Sequence, residues 1–155
     1  MKKYILTALI SFAIIEVVYS QTDKQQIASI EKETKEIQNK VGKYRKTEIF
    51  KDSIGNKYAY KDGNEIKLLT IYYQDTDANK NVEWYFFEEK LIYIQQIWTD
   101  KETNKIVDSK KCYLNSGQLI AWVINDKLVD ANSEEFKKVK IELGAYGKKL
   151  IEQTN

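Results

Sequence analysis

The groups in this sequence able to act on a substrate are one thiol and a scatter of carboxylates. Cys112 is the single cysteine and histidine is absent, so neither a Cys–His pair nor a Ser–His–Asp arrangement is available to activate a nucleophile. Strand parity puts Lys111 on the face opposite Cys112, and the thiol reads as a core side chain. Two-carboxylate hydrolysis needs only a pair of acids held at about 5–10 Å. Glu65 and Glu83 fall in strand-like stretches, whereas Glu88, Glu89 and Asp108 fall at or near turns, and nothing in their spacing pairs any two of them. The run Asp75-Thr76-Asp77-Ala78-Asn79-Lys80-Asn81 alternates oxygen ligands in the way a calcium loop does. However, Lys80 stands in the place of that loop's glycine and Phe86 in the place of its bidentate acid, so an Asn/Asp-rich hairpin loop is the better reading. No glycine-rich phosphate loop occurs. No metal and no cofactor is expected.

What remains is recognition. Eleven tyrosines and three tryptophans supply rigid rings that bury area at low entropic cost. The expected ligand- or partner-binding set is Trp84, Tyr85, Tyr93, Trp98, Tyr113 and Trp122. The competing reading for each is the core.

Those rings lie on elements whose pattern is mostly β. The run Asn81–Trp98 holds two aromatic and β-branched stretches around the break Glu88-Glu89-Lys90, a hairpin signature. Alternation places Val82, Trp84, Phe86, Leu91, Tyr93 and Ile97 on one face and Tyr85, Phe87, Ile92, Ile94 and Trp98 on the other. Neither face is polar, so both need cover. A second hairpin turns at Ser116-Gly117, with Cys112, Leu114, Leu119, Ala121 and Val123 on one face and Tyr113, Ile120, Trp122 and Ile124 on the other. Residues 44–73 read as three short strands, broken at Ser53-Ile54-Gly55-Asn56 and Lys61-Asp62-Gly63-Asn64. The segments at Tyr60, Phe86 and Tyr113 share an aromatic–turn–aliphatic cadence, as expected of one hairpin repeated along a meander. Helical spacing marks Ile27, Ile30, Ile37, Val41 and Tyr44 at the N-terminal side and Phe136, Val139, Leu143, Tyr146 and Leu150 at the C-terminal side, the latter behind a capping box at Asn132 and Glu135.

Lys2 and Lys3 precede an apolar run from Tyr4 to Ile15 and small residues before Gln21, the layout of a secretory signal cut after Ser20. The run is shorter than the roughly 20 apolar residues of a membrane span. With 25 basic and 23 acidic residues interspersed along the chain, the basic footprint of a nucleic-acid binder is missing. One cysteine allows no internal disulfide in an exported chain, so the core must carry stability.

These observations predict an α+β fold: a curved antiparallel β-meander of about 6–7 strands flanked by an N-terminal and a C-terminal helix, both on one side. Residues 1–20 are the signal peptide. Residues 21–155 form one domain, with helix over 21–43, sheet over 44–131 and helix over 132–153. The expected function is a secreted or periplasmic, non-enzymatic binding protein whose aromatic sheet face holds a protein partner or an apolar or sugar-like ligand. No nucleic acid and no membrane span after cleavage are expected. A carboxylate-dependent hydrolase is the second reading, and a homodimer covering the same face is the third.

Overall fold

The computed structural model describes residues 23–51, 55–74 and 77–152, with the side chains of residues 50, 51 and 145–152 outside that description. Helix α1 covers residues 23–40 and tightens into a 3-10 turn at Val41–Lys43 before Tyr44 takes the extended conformation. Eight strands follow: β1 Arg45–Lys51, β2 Gly55–Asp62, β3 Glu65–Gln74, β4 Ala78–Phe87, β5 Lys90–Asp100, β6 Ile106–Asn115, β7 Gln118–Ile124 and β8 Lys127–Leu128. Helix α2, Glu134–Glu152, closes the chain. Every strand pairs antiparallel with the next, giving one sheet in the order β1 to β8. The expected α+β meander is therefore present, with the two-residue β8 taking the strand count beyond six or seven. The signal-peptide residues lie outside the described part, as do Asp75 and Thr76 of the calcium-like run.

The hairpins repeat one another closely. Asp62 pairs with Glu65, Phe87 with Lys90 and Asn115 with Gln118, leaving two-residue turns at Gly63-Asn64, Glu88-Glu89 and Ser116-Gly117. In the last two, both turn residues have positive φ (49° and 59°; 50° and 77°), the type I′ geometry that matches strand twist. In all three hairpins the third residue after the turn (Lys67, Ile92, Ile120) is skipped by the ladder, which resumes as Tyr60↔Leu68, Tyr85↔Tyr93 and Tyr113↔Ala121. The cadence read along the sequence is thus one bulged hairpin used three times. Bulges bend their strand and add twist, and this sheet carries further irregularities between Glu48 and Phe50 and between Trp98 and Thr99.

The bulges overturn the parity assigned from sequence. Because Ile92 is extra, Tyr93 and Ile97 share a face with Tyr85, while Ile94 and Trp98 join Val82, Trp84, Phe86 and Leu91. Because Ile120 is extra, Trp122 and Ile124 join Cys112, Leu114 and Leu119, while Ala121 and Val123 join Tyr113. A slip of one residue moves every later side chain to the other face.

The helices lie on opposite faces, not on one side as expected. Ile30 and Ile37 of α1 pack with Leu68, Tyr85, Tyr93, Tyr113 and Ala121. Phe136 of α2, with Val139 and Leu143 against it, joins Leu69, Trp84, Ile94, Cys112 and Trp122. Leu68 and Leu69, or Tyr85 and Trp84, are adjacent in sequence and so point apart. With both faces apolar, one helix per face buries more apolar surface than two on one side. The α2 start also differs: the Phe136 N–H donates to Ser133 Oγ at 3.1 Å, which makes Ser133 the cap, while the Asn132 N–H donates to Asp130 Oδ1 at 2.9 Å in the preceding turn. At Gly55 a Cβ would stand 2.5 Å from the Tyr72 carbonyl oxygen, so the β2–β3 approach there requires glycine. Among the described residues no helix is long and apolar enough to cross a membrane.

Candidate functional site

Five of the six rings expected to bind lie inside the molecule. Trp84 and Trp122 are 5% and 6% exposed and lie in one cross-strand row, Leu69–Trp84–Ile94–Cys112–Trp122, on the α2 side. Tyr85, Tyr93 and Tyr113 form the matching row beneath α1, with ring centroids 5.6 and 5.1 Å apart. They belong to the packed layers, not to an open face. The cause is again the helices, which take one face each.

The α1-side rings differ from the tryptophans in having their hydroxyls tied at the edge of the layer. Tyr85 OH donates to Glu83 Oε2 at 2.5 Å and accepts from Gln38 Nε2 at 2.9 Å. Tyr93 OH donates to Gln95 Oε1 at 3.0 Å, and Tyr113 OH to Glu31 Oε1 at 3.0 Å. Burial, then the Glu31 carboxylate, pushes the Tyr113 phenol up to about 12. Burial acts first on Tyr85 and Tyr93 too, raising both, with Glu83 adding to Tyr85 and the Tyr113 phenol to Tyr93. Cys112 is a buried free thiol pushed up to about 12 by desolvation, with Lys110 opposing. A thiol held protonated is a poor nucleophile.

Trp98 alone of the six stays half-exposed. It sits away from the hairpin turns, at the end of the sheet where β3, β4 and β5 reach Gln74, Ala78 and Asp100. Three further rings gather at this end: Tyr72, 41% exposed, Tyr73 and Tyr58. Tyr58 and Tyr72 meet edge to face at 6.2 Å, and Lys46 Nζ lies 3.9 Å from the Tyr58 centroid. Burial and the neighbouring Tyr60 and Glu83 raise the Tyr72 phenol. Glu83 also accepts from Asn81 Nδ2 at 2.9 Å, and Asn81 Oδ1 is buried without a hydrogen-bond partner among the described residues. On the α2 side, Lys80 pairs across the ladder with Trp98, its Nζ 4.6 Å from the indole and 5.5 Å from the Tyr73 ring. A cavity of about 260 Å³ at this end is lined by Tyr72, Tyr73, Gln74, Asn79, Lys80, Asn81 and Thr99, and the pairs Tyr72↔Asn81, Gln74↔Asn79 and Asn79↔Thr99 put most of that lining on the α1 side, opposite Trp98.

Sequence reading missed Tyr58, Tyr72, Lys80 and Asn81. A signal for the last two was present: the alternation of Val82 and Trp84 continues back through Lys80 and Ala78, so the Asn/Asp-rich run read as a hairpin loop up to Asn81 is in part the start of β4. The carboxylates do not assemble. Glu83 lies on the α1 side of β4, while Asp108 pairs with Trp98 on the other face, 4.0 Å from Lys110. Glu65 is 2.7 Å from Lys67, and this lysine, with help from the Glu88 and Glu89 backbone amides, holds its carboxyl below the usual range. Glu65 thus braces the neighbouring turn. No cluster of three or more metal-ligating side chains occurs among the described residues. Comparison with known protein families, curated proteins and solved structures finds no match to this chain.

Proposed function

We propose that this chain is an exported, non-enzymatic binding protein that recognises its ligand or partner at the open end of the sheet, around Tyr72 on the α1 side. The observation that supports this most is the coincidence, at one end of β3–β5, of the Tyr72 and Tyr73 rings with a cavity whose lining includes Gln74, Asn79, Asn81 and Thr99. Rings that offer a flat face beside amides and hydroxyls are the usual composition of a recognition surface. Export is read from the basic and apolar N-terminal run at residues 1–20. A hydrolase lacks a supporting observation, because Glu83 and Asp108 face opposite ways.

The test is capture from the envelope fraction of the producing cell by the immobilised mature chain. Tyr72→Ala is expected to abolish capture, and Trp98→Ala on the opposite face to leave it in place, with both unfolding midpoints within a few degrees of the parent. Equal capture by the parent and the Tyr72→Ala variant would remove the open end as the recognition site.

A further inference from the structure

The side chains around the cavity at the open end sort by face. Tyr72 pairs with Asn81, Gln74 with Asn79 and Asn79 with Thr99, so these five stand together on the α1 side. Tyr73 and Lys80, paired with each other between them, point the other way. The Lys80 Nζ lies 4.6 Å from the Trp98 indole and 5.5 Å from the Tyr73 ring, so this lysine lines the cavity without bringing its charge into it. The α1-side lining is therefore one phenol, three carboxamides and one hydroxyl, with no ionised side chain among the described residues. The Asn81 amide is oriented by its neighbour: an ionised Glu83 only accepts, so the amide nitrogen faces it at 2.9 Å. Asn81 Oδ1 is then left buried with no donor among the described residues, an unmet acceptor at the cavity wall. Directly across the ladder stands the Tyr72 ring, 41% exposed.

We propose that this α1-side cavity binds a neutral sugar residue, its C–H face on the Tyr72 ring and its hydroxyls on Asn81, Asn79, Gln74 and Thr99. Carboxamides and hydroxyls both donate and accept, which matches a ring of hydroxyls that do the same. A charged ligand would shed its hydration with no counter-charge in the lining to meet it. A purely apolar ligand would cover the amides and leave them unpaired. The volume, about 260 Å³, falls just below the roughly 300 Å³ at which drug-sized pockets begin and suits one ring. The phenol fixes one face of that ring and the amides read its edge, so orientation comes with contact. This inference rests on reading the open end as a binding site and adds the chemistry of what enters it.

The experiment is a titration of the isotope-labelled protein with the methyl glycosides of glucose, galactose, mannose and N-acetylglucosamine. It follows the Asn81 side-chain amide resonances, assigned by their loss in Asn81→Ala. At least one glycoside is expected to shift them saturably. Cyclohexanol, a ring of the same size without the array of hydroxyls, should bind at least about tenfold more weakly, the scale of one or two hydrogen bonds. Tyr72→Ala and Asn79→Ala should each weaken the best glycoside by a similar factor with circular dichroism unchanged, while Trp98→Ala on the other face leaves it as it is. Added salt should change the affinity by less than about twofold, since no charge is engaged. Cyclohexanol as strong as the best glycoside would overturn the role of the amides, and a steep salt dependence would overturn the neutral assignment. Tighter binding of N-acetylalanine methylamide than of any glycoside would replace the sugar by a peptide. No shift with any glycoside would overturn the sugar assignment, and the binding reading would then stand or fall on capture by the Tyr72→Ala variant.

Discussion

The two faces of this sheet both bury aromatic rings but are closed by different means. On the α2 side Trp84, Phe86, Leu91, Trp122 and Phe136 belong to one apolar cluster. On the α1 side the interior row is tyrosine, and each hydroxyl of Tyr85, Tyr93 and Tyr113 reaches a carboxylate or amide at the layer's margin. Apolar packing has no directional requirement and fails through cavities, whereas a polar margin must be satisfied group by group and fails when one partner is removed. The α1 face therefore grades from sealed to open along each strand, through Tyr85 and Glu83 to Asn81 on β4, and the open end is where that gradient runs out.

The sharpest break in the comparison is expected from Trp84→Ala. Truncating this 5% exposed ring should cost about 3–5 kcal/mol in urea unfolding, and α2 contacts should be lost with it. Tyr85→Phe keeps the ring but strands the Glu83 and Gln38 side chains, and about 1–3 kcal/mol is expected by the same measurement. A Trp84→Phe control, which removes no hydrogen bond seen here, should cost less than Tyr85→Phe if the polar margin matters as argued.

The tyrosine row also makes alkaline unfolding a property of the α1 face. Tyr85, Tyr93 and Tyr113 have folded-state values above the ordinary phenol value of 10. The unfolded chain therefore loses these protons first, and their stabilisation is complete below pH 10 and lost as pH rises from 10 through about 12, where Tyr113 itself ionises. Phenolate absorbance from these three should appear together with loss of ellipticity, not before it. Titration of Tyr85, Tyr93 and Tyr113 with the fold intact would contradict the sealed row.

Smaller effects test the turns and the open end. Glu88 and Glu89 both hold positive φ, at roughly 1 kcal/mol or more each for residues with a Cβ, so Glu88→Asn with Glu89→Gly should raise stability by about 1–2 kcal/mol in thermal unfolding. The smallest expected change is at Tyr72, 41% exposed, where Tyr72→Ala should move stability by no more than about 0.5 kcal/mol yet reduce capture. A large loss of stability there would assign Tyr72 to the core and shrink the open end.

Local pattern alone determined a good deal of this protein. The helical stripe at Ile27, Ile30, Ile37 and Val41, the turns at Gly63-Asn64 and Ser116-Gly117, the repeated hairpin and the meander order follow from spacing and turn chemistry that act within a few residues. The side of the sheet on which each ring lies was decided elsewhere. A single bulged residue, Ile92 or Ile120, reverses parity downstream, and whether the ladder skips a residue depends on the partner strand, which the local pattern does not contain. The choice of one helix per face is likewise a matter of total buried area across distant segments, and it turned five of six candidate rings into core. Only after that closure does an uncovered remainder exist at the far ends of β3–β5, Tyr72 and Asn81 on the α1 side and Lys80 and Trp98 on the other, because exposure is what packing leaves over.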